Sequence, residues 1–398
     1  MRAPPSLTHF EQPLQQTHFH ARTSALCRTH RWGAWAGYAS VLSYEDTAME
    51  YTAIRNAASL YDLCPMIKYR ITGPDAAAYL NHLTVRDAAK LSTGSVHYTV
   101  WCDDGGKILD DGTLFRLGED AFRLCCQERH LPWLHESAEA FDVQIRDETD
   151  EVAALSLQGP TSAAILLAAG FDVRGLKPFR MASFPFGSGT VTISRTGFTG
   201  DLGYELWLAP VDALALWDHL FEAGQLYGLR PIGSDALNIA RLEAGFIITN
   251  LDFTPAHQAL REDRNRSPFE MGLDWLISWD KGHFTGRRAL LRERDEKSSR
   301  WTFVGLEIEG NNEAPGAILY HDRKTEAGVI TASCWSPTLK KPIALAQLDR
   351  RYMGGHNLWA EIYALRELHY VKLMEKVKLV ERPFFKTPRR SATPPDKF

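Results

Sequence analysis

Helical periodicity is clearest in two stretches of the chain. Within residues 211–223, apolar side chains recur three or four positions apart, at Leu214, Trp217, Leu220 and Phe221. This spacing predicts an amphipathic helix that packs on a sheet and stops at Gly224. A strand over 68–73 leads to Pro74, and proline in a first helical turn loses no hydrogen bond. We therefore predict a second helix over 76–83.

Two other segments combine β-prone residues with glycine-bearing turns and predict β-hairpins. Residues 98–117 contain an Asp-Gly-Gly turn, so Asp110 and Asp111 fall in the returning strand. Residues 191–208 carry three glycines between two predicted strands, and Glu205 begins the second strand. A glycine-bearing loop lets the backbone approach a ligand closely. Both hairpins are therefore candidates for a binding site.

The C-terminal quarter is nearly all strand, which predicts a small β-barrel. Short β-prone runs punctuated by Pro and Gly occupy 303–309, 317–320, 328–332 and 343–348. A run of charge and serine at 292–300 precedes them and predicts an exposed linker. The first residues are rich in Pro, Gln, His and Thr without a period, which predicts an extended arm over 1–30. This leaves a bipartite domain at 31–291 and the barrel domain at 301–398.

Composition limits the partners, the location and the metal sites that we expect for the chain. The 398 residues carry 45 Lys and Arg against 49 Asp and Glu, a net charge of −4, so no global field favours nucleic acid or anionic lipid. The longest apolar run, 163–171, is about half of what a membrane span needs. Six cysteines without a C-x-x-C pair favour a reducing, cytoplasmic location. No cluster of histidines or acidic residues predicts a metal site.

The two consecutive aspartates are the residues that most need a chemical explanation. Strand interiors are depleted in Asp, and successive strand residues point to opposite faces, so only one of Asp110 and Asp111 can face a cavity. A solvated edge or a pair that caps a turn is the alternative interpretation. The chain lacks G-x-S-x-G, Walker and G-x-G-x-x-G patterns, so no motif supports a hydrolase, phosphoryl-transfer or NAD function.

Several ordered motifs resemble one family. GGKILDD at 105–111 is similar to its GGiiDD, SLQGP at 156–160 to its alQGP, and residues 194–205 to its RTGYTGEdGfEi. RLEAG at 241–245 and DKGHFTGR at 280–287 continue the order. The chain thus resembles the tetrahydrofolate-dependent glycine cleavage T-protein, or aminomethyltransferase, family over roughly residues 32–386.

The resemblance implies a fold and a set of site residues. The fold is α+β, a three-part folate-binding aminomethyltransferase fold with a C-terminal β-barrel domain and tetrahydrofolate in a central channel. By resemblance, Asp111 is the catalytic carboxylate, Tyr98 lines the channel, and Glu205 holds the pterin. A carboxylate suits this role because hydrogen bonds to a charged acceptor are about twice as strong as neutral ones.

Two departures from the T-protein pattern change the expected donor. Phe198 stands where the family has a tyrosine, and Leu237 stands where it has a ligand-side arginine. Leu237 removes a bidentate anion contact. Demethylating and dimethylglycine-type relatives look similar at this position, so we place the chain closer to them than to the T-protein itself.

The leading hypothesis is therefore a cytoplasmic, tetrahydrofolate-dependent methyl- or aminomethyltransferase. Its donor is expected to be a small methylated amine, sulfonium or methoxy compound, with a partner oxidase or carrier protein as a further possibility. The alternatives are the glycine cleavage aminomethyltransferase itself and a non-catalytic, folate-binding regulatory protein.

Overall fold

The computed structural model describes residues 13–261, 263–354 and 356–394. Its α-helices are α1 (His20–Leu26), α2 (Thr47–Asn56), α3 (Ala76–Leu83), α4 (Leu131–Ser137), α5 (Ser162–Ala168), α6 (Ala213–Gly224), α7 (Ser234–Glu243) and α8 (Arg287–Glu296). None of these helices in the described ranges is long and apolar enough to cross a bilayer.

The described strands form a two-stranded sheet, a five-stranded sheet, a six-stranded sheet and a closed barrel. Those before the barrel are β1 (Arg31–Trp35), β2 (Tyr38–Ser43), β3 (Ala58–Asp62), β4 (Ile67–Thr72), β5 (Ser95–Cys102), β6 (Ile108–Gly118), β7 (Ala121–Cys126), β8 (Gln144–Asp147), β9 (Ala153–Gln158), β10 (Met181–Phe186), β11 (Gly189–Ser194), β12 (Gly203–Leu208) and β13 (Leu229–Pro231). The barrel strands are β14 (Trp301–Ile308), β15 (Ile318–His321), β16 (Thr325–Ser336), β17 (Lys341–Asp349), β18 (Leu358–Arg366) and β19 (His369–Val380).

Three larger sheets build the molecule. A six-stranded sheet has the order β10-β11-β12-β9-β3-β13, a five-stranded sheet has the order β5-β6-β7-β4-β8, and the barrel closes as β14-β17-β16-β15-β18-β19. Helices α5 and α6 bury apolar side chains on the first sheet, and α3 does so on the second. The predicted α+β class with a C-terminal barrel is confirmed.

The barrel packs against the rest of the chain through a shared apolar core. Val100 and Ile108 of the β5–β6 hairpin belong to the same buried cluster as Phe303, Cys334 and Leu345 of the barrel. The hairpin that carries the paired aspartates is therefore clamped between its own sheet and the barrel. Such packing fixes side-chain positions to the precision that a reactive site needs.

The predicted elements are largely observed, with three corrections. Helix α3 has the predicted bounds, but α6 begins at Ala213 and includes Gly224. The helical stretch stops instead at Gly228, which has φ of 70° after the short 3₁₀ turn Gln225–Tyr227. A left-handed residue of this kind is the usual helix terminator. Gly224 has a helical φ, and its lack of a side chain is needed because a Cβ there would collide with Leu229.

The predicted linker and arm both contain helix. Residues 292–296 form the end of α8, which stops at Lys297 in a left-handed conformation. Charged side chains can point to solvent from a helix as well as from a loop, so composition alone did not distinguish the two. In the arm, residues 1–12 lie outside the described part, while Phe19, which precedes α1, is fully buried in the core of the six-stranded sheet.

Candidate active site

The β5–β6 hairpin brings Tyr98 and Asp111 together. Asp111 pairs with Val100 across the hairpin, so Tyr98 is its diagonal neighbour on the same face. The Tyr98 hydroxyl donates to Oδ2 of Asp111 at 2.8 Å. Two residues that were predicted to share one channel are thus in direct contact, and the hydroxyl fixes the orientation of the carboxyl group.

Asp111 lies in an environment that favours its protonated form. Burial raises the pKa of Asp111 to about 7, and the neighbouring Asp110 adds to the increase. Hydrogen bonds from Tyr98 and Thr249 oppose it, because they stabilise the ionised form. A carboxyl group with a pKa near neutral pH can both accept and return a proton.

Asp110 is fully buried, which is not the solvated edge that the sequence left open. Its Oδ1 accepts from the Thr249 hydroxyl at 2.6 Å, and its Oδ2 lies 2.9 Å from Nε2 of His130. Asp111, although it follows Asp110 directly in the strand, contacts the same hydroxyl at 2.8 Å. A β-bulge precedes Asp110 on β6, and bulges of this kind redirect side chains.

Glu205 is a second buried carboxyl group, on the central strand β12. Burial raises the pKa of Glu205 to about 7, and its Oε2 accepts a short hydrogen bond from Thr196. In the described chain Oε1 of Glu205 has no hydrogen-bond partner. Because a carboxyl group can accept about four hydrogen bonds, Glu205 keeps free capacity for a ligand.

An aromatic pair lies next to the β11–β12 hairpin. The Phe198 ring stacks on Phe246 with centroids 5.4 Å apart and planes inclined by 22°. The Arg390 guanidinium lies 5.4 Å from the centroid of the Phe246 ring. Within the described residues, Arg390 has no carboxylate within ion-pair distance. This corner therefore offers a flat apolar surface beside an unpaired cation.

The loop at 245–249 contacts both hairpins through its side chains. It follows α7 and carries Phe246, which stacks on Phe198, and Thr249, which binds both aspartates. Residues that were predicted from separate motifs thus meet through one short segment. Sequence reasoning missed Thr249, Phe246, His130 and Arg390, because none of them lies in a motif that marks a site.

Leu237 lies on α7, half-buried against an apolar cluster that includes Phe115 and Trp207. No hydrogen bond or ion pair can involve its side chain, and the nearby Arg241 is already paired with Asp252 at 2.7 Å. Arg241 therefore does not replace the arginine that the T-protein pattern has at this position. A different candidate for that charge is Arg390, which lies over the ring of Phe246.

Comparisons with known proteins agree along nearly the whole chain. The model of the GCVT N-terminal domain matches residues 19–281, and that of the glycine cleavage T-protein C-terminal barrel domain matches 302–386. An aminomethyltransferase of Halothermothrix orenii is 33% identical over 325 residues, which are 80% of this chain and 86% of that protein. A trimethylamine-oxide aldolase of Ruegeria pomeroyi is 34% identical over 351 residues, which are 84% of this chain but only 43% of that protein.

A solved structure has the same fold. The crystal structure of the glycine cleavage system aminomethyltransferase T from Bartonella henselae superposes with a TM-score of 0.81 at 25% identity. The superposition covers 94% of this chain and 98% of that one. The domain matches, the similar relatives and this superposition lead to one conclusion: the chain belongs to the glycine cleavage T-protein family and is a one-carbon transferase.

Proposed function

We propose that the protein transfers a one-carbon unit, as a methyl or aminomethyl group, from a small methylated donor to tetrahydrofolate. The observation that carries the proposal is the half-buried Asp111, which is oriented by Tyr98 and has a pKa near neutral pH. A group with these properties suits a reaction in which an amine must lose a proton as it accepts carbon.

The residues present fit tetrahydrofolate. Glu205 has an unused carboxyl oxygen that can accept the paired N–H donors of an aminopyrimidinone edge. Phe198 and Phe246 form an aromatic surface against which a flat heterocycle or benzoyl ring can pack. Arg390 supplies a positive charge beside that surface for the glutamate carboxylates. Together these side chains match the three chemically distinct parts of the cofactor.

Tetrahydrofolate, when bound, supplies the secondary amine that accepts the one-carbon unit. Asp111 in its ionised form stabilises the positive charge that develops at the reacting nitrogen and then takes up the released proton. Tyr98 keeps the carboxyl group in one orientation, so little reorganisation is needed during the reaction. The packing of the hairpin against the barrel keeps Asp111 and Tyr98 in fixed positions.

The donor is proposed to be a methylated amine, sulfonium or methoxy compound. The apolar Leu237 in place of a ligand-side arginine favours a donor without an anionic carrier group at that position. The similarity to a trimethylamine-oxide aldolase supports a methylated amine in particular. A screen of the three donor classes that detects one-carbon folate products would identify the compound, with or without an added partner oxidase.

Replacing the proposed catalytic carboxyl group tests the assignment. Asp111→Asn should keep the fold and tetrahydrofolate affinity but lower kcat by about 10²- to 10⁴-fold, because loss of a positioned base has effects of this size. The measurement is turnover of the donor found in the screen, with calorimetric titration of tetrahydrofolate alongside. Asp104→Asn, in the exposed turn of the same hairpin, is the matched control. Full activity of Asp111→Asn would rule out the proposed role.

The glycine cleavage reaction is the second candidate, because named aminomethyltransferases are about as similar to the chain as the aldolase is. It predicts activity only with an aminomethyl group on a lipoyl carrier protein. A regulatory, non-catalytic protein would bind tetrahydrofolate and turn over no donor of any class. The donor screen and the calorimetric titration together distinguish the three functions.

Arg390 can be tested through the part of the ligand that it is proposed to meet. Arg390→Met should weaken tetrahydrofolate binding about 10- to 100-fold, because hydrogen bonds to charged groups contribute about 1.5–3 kcal/mol. Affinity for tetrahydropteroate, which lacks the glutamate, should stay the same. Lys386→Met, another C-terminal cation, is the control. Equal losses for both ligands would contradict the proposed contact.

A further inference from the structure

A chain of hydrogen-bond contacts runs from Asp111 to His130, whose ring lies against an exposed histidine. Asp111 and Asp110 both contact the Thr249 hydroxyl, at 2.8 and 2.6 Å. Asp110 then contacts Nε2 of His130 at 2.9 Å. The His130 ring lies 5.3 Å, centroid to centroid, from the ring of the exposed His257. Three polar contacts and one ring contact thus lead from the proposed catalytic group to an exposed side chain.

The number of hydrogens in this chain is limited. A threonine hydroxyl has one hydrogen, yet Thr249 lies within hydrogen-bond distance of two carboxyl groups. The second contact is attractive only if one carboxyl group is itself protonated and donates to the threonine oxygen. Two buried carboxyl groups this close also cannot both ionise without a large cost. The geometry therefore implies a proton that Asp110, Asp111 and Thr249 share.

His130 is held where it can sense that proton. Its side chain is 3% exposed, its main-chain N–H donates to the Tyr69 hydroxyl at 2.7 Å, and its ring packs edge-on against Trp101. Its Nε2 lies within hydrogen-bond distance of Asp110, so the ring can exchange a proton with that carboxyl group. The tyrosine and tryptophan contacts fix the ring without using its second nitrogen.

Other titratable groups also face this pair and belong to any account of its pH dependence. Glu128, whose pKa is raised by burial, donates its main-chain N–H to Oδ2 of Asp110 at 3.0 Å. Burial raises the pKa of the Cys126 thiol and lowers the pKa of His257. Burial also raises the pKa of Tyr69, so this phenol and the Cys126 thiol stay neutral near pH 7.

We propose that His130 is a positioning residue that, through Asp110 and Thr249, sets the protonation of Asp111 and passes its proton toward His257. The inference deepens the proposed function and rests on it in treating Asp111 as the proton acceptor. A proton gained by Asp111 passes to the Thr249 oxygen as the Thr249 hydrogen passes to Asp110 and a proton of Asp110 passes to Nε2 of His130. The imidazolium then releases its Nδ1 hydrogen, so one proton enters, one leaves, and no electrons are exchanged.

The coupling can be measured without a donor or cofactor. In the unliganded protein labelled with ¹³C-histidine, the Cε1–H signal of His130 should show an inflection that follows the protonation of Asp111. Asp111→Asn and Thr249→Val should each remove this inflection, whereas Thr249→Ser, which keeps the hydroxyl, should restore it. An unchanged curve in Asp111→Asn and Thr249→Val would overturn the inference.

Glutamine separates hydrogen bonding from titration at position 130. His130→Gln keeps an N–H donor for Asp110 but cannot exchange a proton. It should leave the tetrahydrofolate Kd within about twofold, lower kcat about 10- to 100-fold and remove one limb of the kcat–pH profile. His135→Gln, an exposed histidine of α4, is the matched control. A wild-type pH profile in His130→Gln would show that His130 is only structural.

The two proposals fail in different ways. If Asp111→Asn is fully active while the His130 signal still loses an inflection, the proton chain exists and the proposed function of Asp111 is wrong. If Asp111→Asn is inactive and the His130 signal does not respond to it, the function stands and the chain does not. If His130→Gln does not fold, the Thr249→Val and Thr249→Ser pair still decides the matter.

Discussion

The carboxyl group of Glu243 differs from those of Asp111 and Glu205 in whether it has a cationic partner. Glu243, at the end of α7, is fully buried and accepts from Arg55 at 2.7 Å, from the Tyr51 hydroxyl at 2.7 Å and from Ser336 of the barrel. Glu205 is also buried, and Asp111 is half-buried. Throughout the described ranges, however, neither has a lysine or arginine nitrogen within ion-pair distance.

The difference separates a structural carboxyl group from the carboxyl groups of the proposed site. Each hydrogen bond and ion pair that Glu243 makes joins it to another part of the chain, so this carboxylate holds α2, α7 and the barrel together. Asp111 and Glu205 have only hydroxyl partners, and burial raises the pKa of each to about 7. A buried carboxyl group without a cation is left to bind a proton or a ligand, which is the condition a site requires.

The largest predicted effect comes from breaking the paired region. Glu243→Gln leaves the Arg55 guanidinium buried without its closest counter-charge, because Asp201 lies farther away at 3.5 Å. Removing one partner of a buried ion pair typically costs about 3–5 kcal/mol. Denaturant unfolding should therefore show a loss of this size in the free energy of unfolding. If the unfolding transition separates into two steps, the barrel no longer unfolds together with the rest of the chain.

Glu205→Gln is the matched control for this prediction. It makes the same chemical change in a buried carboxyl group that has no cationic partner, so stability should change little while tetrahydrofolate binding weakens. Equal losses of stability in the two variants would break the distinction between the regions. A loss only in Glu243→Gln, with weaker binding only in Glu205→Gln, would sharpen it.

How far the sequence predicts the site depends on how far apart the partners lie along the chain. The resemblance assigned Tyr98 and Asp111 to one channel, and the two residues share one hairpin. Thr249 lies 138 positions from Asp111, and no local pattern relates the two. Arg390 reaches Phe246 only because the segment after the barrel returns to the site. Contacts of this kind are set by the tertiary fold.

The same limit explains what the sequence missed in the fold. The four barrel strands that were predicted have near-continuous apolar runs, whereas β19 (His369–Val380) has lysines and glutamate among its apolar residues. Much of β19 is exposed, and it pairs with β14 and β18 to close the barrel. A strand that is solvated on one side gives a weaker pattern than a buried one. β19 is recognised as a strand by its pairing with β14 and β18, and no local sequence pattern shows that pairing.

The smallest predicted effect is a difference in pH dependence between the two regions. Because the pKa values of Asp111 and Glu205 are about 7 in the folded protein and near 4 in the unfolded chain, the folded state binds more protons between these values. Their contribution to stability is complete below about pH 4 and is lost as the pH rises toward 7.

The double variant Asp111→Asn, Glu205→Gln should therefore gain about 1–2 kcal/mol relative to the wild type between pH 5 and 8, a modest value because water reaches the half-buried Asp111. Thermal unfolding at a series of pH values measures this difference, and Glu243→Gln should show no such gain. A constant difference between the double variant and the wild type across that range would mean that neither carboxyl group retains its proton on folding, and the contrast between the regions would then rest on ion pairing alone.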